Sequence, residues 1–178
     1  MLLIRKATIA DVPAITEIYN EAILTTNATF DSEPKTAGQQ EEWFSRHDGK
    51  HPILVAETDA GVVAWASLSE WSTRCAYSDT AEISIYVRGP FRGHGIGKKL
   101  MAEIVTAGEA CGLHTVLSRI TEGNGPSVHL HELQGFETVG IMREVGNKFS
   151  QLLDVRMMQK IYGKKRTGAR TSTRKRTR

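Results

Sequence analysis

The chain has 178 residues, the size of one α/β domain. Apolar side chains make up 40% of it, enough for a sizeable core, and no apolar run approaches the roughly 18–20 residues needed to span a bilayer. The net charge of +3 is unevenly placed: residues 163–178 hold eight Lys and Arg and no acid, so residues 1–162 carry a net −5, which argues against a nucleic-acid-binding body.

The two cysteines, Cys75 and Cys111, have neither metal-ligand spacing nor a CxxC pattern, and the N-terminus lacks the basic flank and long apolar stretch of a signal peptide. A reducing, cytoplasmic setting without a metal centre or membrane partner is therefore expected.

In chain order, Leu2–Lys6 reads as a strand, followed by a helix over Val12–Ile23 with Asp11 as its N-cap. Thr25–Pro34 reads as a loop, and Thr36 caps a second helix to Arg46 with Trp43 and Phe44 on its inner side. Ile53–Glu57 and Val62–Leu68 form a hairpin around Asp59-Ala60-Gly61. Glu70–Asp79 is irregular, and Ala81–Val87 alternates as a strand. A glycine-rich turn then leads into a helix over Gly97–Cys111, stopped by Gly112. Thr115–Ile120 is a strand, and Pro126 opens a short helix to Gln134. Phe136–Met142 and Leu152–Ile161 close as an antiparallel pair. This order predicts an α/β fold: a mixed β-sheet with flanking helices and a parallel section in its middle. Residues 1–162 form the domain, and 163–178 read as a disordered basic tail.

The turn Arg92-Gly93-His94-Gly95-Ile96-Gly97 carries the chemistry. Glycines allow positive φ and close backbone approach to a ligand, and a helix N-terminus favours an anion. Arg92, His94, Lys98 and Lys99 add positive charge or donors. The spacing fits neither a Walker A loop, because Lys99 follows Gly97-Lys98, nor the GxGxxG dinucleotide fingerprint, which leaves a pyrophosphate cradle of another kind.

Arg92-x-x-Gly95-x-Gly97 resembles the Q/R-x-x-G-x-G/A motif of the GCN5-related N-acetyltransferases. The likeness extends further. Arg5-Lys6-Ala7-Thr8 with Asp11 resembles that family's opening strand and helix start. Glu82-Ile83-Ser84-Ile85-Tyr86-Val87, Asn124-Gly125-Pro126-Ser127, Leu130-His131-Glu132-Leu133-Gln134-Gly135-Phe136 and Val145-Gly146-Asn147-Lys148-Phe149 resemble segments of its phosphinothricin acetyltransferase-like subgroup.

The resemblance implies the acyl-CoA N-acyltransferase fold, whose sheet is splayed between the Ala81–Val87 and Thr115–Ile120 strands, and acetyl-CoA as acyl donor. It carries cofactor contact onto Ile85, Tyr86, Val87, Arg92, Gly93, His94, Gly95, Ile96, Gly97, Lys98, Asn124 and Ser127. Glu82 matches the subgroup's glutamate and is the expected base; His131 matches its histidine and is the candidate acid for the departing thiolate. Phe30, Glu33, Arg74 and Tyr77 are the expected contacts to a small amine acceptor, an amino-acid analogue such as phosphinothricin, methionine sulfoximine or methionine sulfone. Relatives are commonly homodimers, which implies a dimer here. Asn147, Ser150, Gln151 and Leu152 depart from the closing motif. Two alternatives stay open: a protein or peptide acceptor, and a CoA-binding regulatory protein whose tail binds nucleic acid.

Overall fold

The computed structural model describes residues 1–163; residues 164–178, and with them the expected disorder of the basic tail, lie outside the described residues. The elements are β1 (Leu3–Lys6), α1 (Val12–Thr25), α2 (Ala37–Ser45), β2 (Ile53–Thr58), β3 (Gly61–Glu70), β4 (Thr80–Val87), α3 (Ile96–Ala110), β5 (Thr115–Thr121), α4 (Gly125–Leu133), β6 (Glu137–Lys148) and β7 (Gln151–Ile161). One seven-stranded sheet runs in the order β1-β2-β3-β4-β5-β7-β6. Among the described residues only the β4–β5 pair is parallel, as expected for two strands joined through a helix.

Alternation along the strands gives the sheet two different faces. On one, Ala81 and Ile83 of β4 and Ala64, Ala66 and Leu68 of β3 pack against Leu100, Met101, Ile104 and Val105 of α3. Gly108 lets α3 come close, because a Cβ there would stand 2.5 Å from a Leu68 methyl and 2.6 Å from the Tyr162 hydroxyl. That hydroxyl donates to the Val105 carbonyl at 2.7 Å. On the other face, Val55 and Trp65 pack against Ile15 and Ile18 of α1, with Trp43 and Phe44 of α2 at the margin.

The Thr36 cap forms as the sequence indicates: Thr36 Oγ1 accepts from the Gln39 N–H and Gln39 Oε1 accepts from the Thr36 N–H. Asp11 behaves differently. It precedes α1, but its carboxylate turns back to accept from the Thr8 N–H at 2.8 Å, the Thr8 hydroxyl at 3.0 Å and both terminal nitrogens of Arg5 at 2.8 Å. The residue therefore ties β1 to the helix entry and does not cap α1 with its side chain.

The last pair is longer than its apolar pattern suggests. β6 runs to Lys148, six residues beyond the expected end at Met142, because a break in register between Met142 and Gly146 interrupts the alternation without ending the strand. Lys148 pairs with Gln151, so Phe149-Ser150 is a two-residue hairpin loop with φ of 52° and 60° at its two residues. A loop of that shape favours Asn-Gly, and neither residue here is glycine.

Two stability measurements follow. Arg5, the first cause, and the Thr8 donors hold Asp11 at about 2, below its ordinary 3.8. A depressed carboxylate stabilises the fold fully above its unfolded pKa and loses that contribution as pH falls from about 4 towards 2. Asp11→Asn should therefore cost about 2 kcal/mol at neutral pH, and the gap from wild type should close over that acid window in denaturant titrations. Ser150→Gly should raise the melting temperature by about 2–4 °C, since it relieves a left-handed backbone cost of about 1 kcal/mol.

Candidate active site

Pairing between β4 and β5 extends from Thr80↔Thr115 only to Glu82↔Leu117. Both strands continue past that point, but β5 stays registered on β7 through Thr121↔Val155, while β4 stays on β3 through Val87↔Ala64. The two diverge and leave a wedge. The Asp79 carbonyl bonds towards β5, to His114 and Thr115, whereas the Arg88 N–H bonds towards β3, to Val63. Alternation between these anchors turns the backbone groups of Ile85 and Val87 into the wedge and those of Tyr86 towards β3. The Val87 carbonyl is met by Arg92, but the other strand groups on this edge have no β5 partner, and an extended amide-bearing chain suits them.

A cavity of about 900 Å³ fills the wedge, walled by Glu82, Ser84, Tyr86, Arg119, Asn124, Ser127, His131 and the loop Ala28–Asp31, among others. At its outer end lies the glycine turn. Gly93 and Gly95 have φ of 81° and 78°, and Gly95 stands at the N-cap position of α3, so the first free N–H groups of that helix open at the end of the wedge. Gly97 has no positive φ and lies within the first helical turn, where a Cβ would meet Val87 at an ordinary 3.6 Å; the protein's own packing does not demand glycine there.

The cations divide by role. Arg92 is on the cavity wall but braces the turn, donating to the Val87 carbonyl at 2.8 Å and to Glu21 at 3.3 Å. Lys98 lines the cavity, while the exposed His94 bonds the Arg92 carbonyl and does not. Ile96 buries its side chain in the core below the turn. Asn124 caps α4 through its Oδ1, which accepts from the Ser127 N–H at 3.2 Å, and both residues line the wedge.

Glu82 stands where the strands part. Arg119 of β5 grips both its oxygens, Nε to Oε1 at 2.6 Å and a terminal nitrogen to Oε2 at 2.7 Å, and lies 5.7 Å from the centre of the Trp71 ring. The Glu82 carboxylate raises the Arg119 pKa above its ordinary value. Arg119 is a site residue that sequence reading missed. Its position in an alternating strand gave no signal, and only the parallel register brings it beside Glu82.

His131 is 2% exposed. Its Nδ1 lies 2.7 Å from the Ser127 carbonyl, which can only accept, so Nδ1 carries the proton and Nε2 is a bare lone pair. Nε2 is buried with no partner among the described residues. Burial pushes the ring's pKa below its ordinary 6.5, with the Ser127 bond opposing, so the neutral base persists at pH 7.

The loop Ala28–Asp31 is locked onto the β6–β7 hairpin. The buried Lys148 ammonium donates to the Thr29 carbonyl at 2.7 Å, and Tyr19 joins Thr29 at 3.0 Å and donates to Asp31 at 2.7 Å. Phe30 lies so close over Gly146 that a Cβ there would come within 2.0 Å of its ring. Glu33, Arg74 and Tyr77 are exposed and stand outside the cavity wall, and the Arg74 N–H bonds Ser72.

Comparison with known proteins agrees with this geometry. Residues 15–136 match the Acetyltransferase (GNAT) family. The chain is 39% identical over 158 residues to an L-methionine sulfoximine/L-methionine sulfone acetyltransferase of Pseudomonas paraeruginosa, covering 88% of this chain and 92% of that protein. Among solved structures it resembles a GNAT superfamily phosphinothricin acetyltransferase from Sinorhizobium meliloti in complex with AcCoA, with TM-score 0.86 and 35% identity over 90% of this chain and 88% of that one. It also resembles a ribosomal-protein-alanine N-acetyltransferase from Brucella melitensis, with TM-score 0.86 and 38% identity over 89% of this chain and 99% of that one. A splayed sheet, a glycine turn at a helix start and these matches lead to one conclusion: the chain is an acetyltransferase of the GNAT family.

Proposed function

We propose that this enzyme transfers the acetyl group of acetyl-CoA to the primary amine of a small amino-acid-like acceptor, of the phosphinothricin, methionine sulfoximine or methionine sulfone type, by direct attack. The observation that carries the reading is the wedge itself, an unpaired β4 edge leading to a helix N-terminus at one end and flanked by Glu82 and His131. Ile85 and Val87 would pair the pantetheine amides, and the free N–H groups of Gly97 and Lys98 would take the pyrophosphate. A backbone N–H of β4 would hold the developing oxyanion. The acceptor class comes from the named relatives, and the loop fixed by Lys148 and Gly146 supports it by walling the cavity on the acceptor side.

Glu82 draws the acceptor's ammonium into the wedge. Arg119 uses one lone pair on each of its oxygens, and the others can collect a proton directly or through a water. The tautomer of His131 refines its expected role as an acid. Its Nε2 is unprotonated at rest, so the ring must first take up a proton, arriving from the amine, before it can return that proton to the departing sulfur. Arg74 and Tyr77 remain the proposed grip on an acceptor carboxylate and, with Glu33, would act from exposed positions outside the cavity wall.

The β6–β7 hairpin leaves Val145, Phe149 and Leu152 more than half exposed, and we propose that a second copy covers them in a homodimer. A cytoplasmic setting is proposed from the two unpaired cysteines, and no described helix is long and apolar enough to cross a membrane.

Steady-state CoA release with a panel of amino-acid analogues tests the reading. Turnover with these acceptors is expected, and activity confined to peptides would replace it with a protein acetyltransferase. His131→Ala should lower kcat by about 100-fold or more and remove an acid limb of kcat/KM whose midpoint lies below pH 6.5, because the neutral ring is the active form and is lost as pH falls. Gly146→Val should raise the acceptor KM by displacing Phe30 while leaving the KM for acetyl-CoA unchanged; equal effects on both would show that Phe30 does not border the acceptor.

A further inference from the structure

Ser69, the last residue but one of β3, pairs across the sheet with Glu82, so the two side chains are neighbours on one face. Both line the wedge. Ser69 Oγ lies 2.9 Å from Nε2 of His47, two residues beyond the end of α2, and His47 Nδ1 lies 2.8 Å from the Trp43 carbonyl. A carbonyl only accepts, so Nδ1 holds the ring proton and Nε2 accepts the Ser69 hydroxyl hydrogen. The hydroxyl hydrogen is thereby turned away from the cavity, and only lone pairs remain to face it. The Ser67 hydroxyl, fully buried and 3.5 Å from Ser69 Oγ, can supply a weak donor to one of them.

His47 is well placed to fix this polarity. From α2 it meets the Trp43 ring with centroids 4.5 Å apart, and from β3 the neutral Ser69 hydroxyl. From the loop after α2 it faces Asp48 and His51, which bond each other at 2.9 Å. Burial, the leading effect, lowers the ring's pKa and keeps it neutral, in the accepting form.

We propose that Ser69, its hydroxyl held by His47, is a recognition residue for the acceptor: it accepts an N–H from the acceptor's primary amine beside Glu82. Arg119 already occupies one lone pair on each Glu82 oxygen, so Ser69 supplies an acceptor free of a competing cation. The pair selects a group with several N–H donors, a primary amine or ammonium, over a group that would need a donor from the wall. His47 is a positioning residue that acts only through Ser69. The proposal rests on the reading of the wedge as the site of amine acetylation.

A double-mutant cycle tests it, with initial rates measured against acceptor and acetyl-CoA separately. Ser69→Ala removes the acceptor atom, and His47→Phe keeps an aromatic ring against Trp43 but frees the hydroxyl hydrogen to turn into the cavity. Each should raise the acceptor KM about tenfold, the scale of one hydrogen bond to a charged group, without changing the KM for acetyl-CoA or the melting temperature. In the Ser69→Ala background, His47→Phe should add nothing. An active wild type whose acceptor KM moves less than twofold in Ser69→Ala overturns the proposal alone. So does a His47→Phe effect that persists undiminished without the hydroxyl, or one that raises both KM values with a lowered melting temperature, which marks a purely structural link. A wild type inactive on every amine overturns the functional reading and this proposal with it.

Discussion

The parting of β4 from β5 after Glu82↔Leu117 is the constraint on which the molecule depends. Each strand is held by its other neighbour. Ser118 and Ile120 stay in register with Met158 and Arg156 of β7, and Ile85 and Val87 with Ala66 and Ala64 of β3. Closing the wedge would break one of these antiparallel ladders, so the unpaired edge of β4 persists in the folded chain. A buried backbone group without a partner costs about 1–3 kcal/mol, which an occupant offering amides can recover on binding.

The same strand serves two kinds of surface. Ala81 and Ile83 look into the α3 core, where small residues on β3 and β4 let the helix lie close. Glu82, Ser84 and Tyr86 look the other way, into a polar and aromatic region in which Tyr86 meets Tyr19 and Trp65 at centroid distances of 5.0 and 4.9 Å. Burial pushes the Tyr86 phenol up to about 12, so it stays neutral and hydrogen-bonding through the working pH range. The apolar half of β4 anchors the strand, and its polar half can therefore border a cavity without losing position.

Much of this was legible in the sequence because it is local. The alternation of Glu82–Val87, the glycines before α3, the Thr36 cap and the Asp59-Ala60-Gly61 hairpin each follow from the period or φ their own residues require. What escaped depends on contacts between distant residues. Asp11 looks like an N-cap until Arg5, six residues earlier, claims its carboxylate. The apolar pattern ends β6 at Met142 because the break in register before Gly146 hides its periodicity, and Lys148 meets the loop Ala28–Asp31 only when that strand continues. Arg119 and Ser69 flank Glu82 from the two strands beside it, a juxtaposition set by register that no spacing along the chain records.

Three side chains on the wedge share a further property: each has one polar group engaged in the scaffold and another with no partner among the described residues. Arg92 spends its Nε on the Val87 carbonyl, Asn124 spends its Oδ1 on the α4 cap, and His131 spends Nδ1 on the Ser127 carbonyl of that helix. The His131 case shows the consequence. The Asn124 cap fixes the first turn of α4, that turn orients the Ser127 carbonyl, and the carbonyl selects the tautomer that leaves the buried Nε2 bare, with no partner among the described residues. The chemistry available at Nε2 is thus set two residues and two hydrogen bonds away, by the same rule that makes asparagine a helix cap. A site built this way needs little reorganisation when it fills, because the groups that would otherwise turn have already been used to hold the fold.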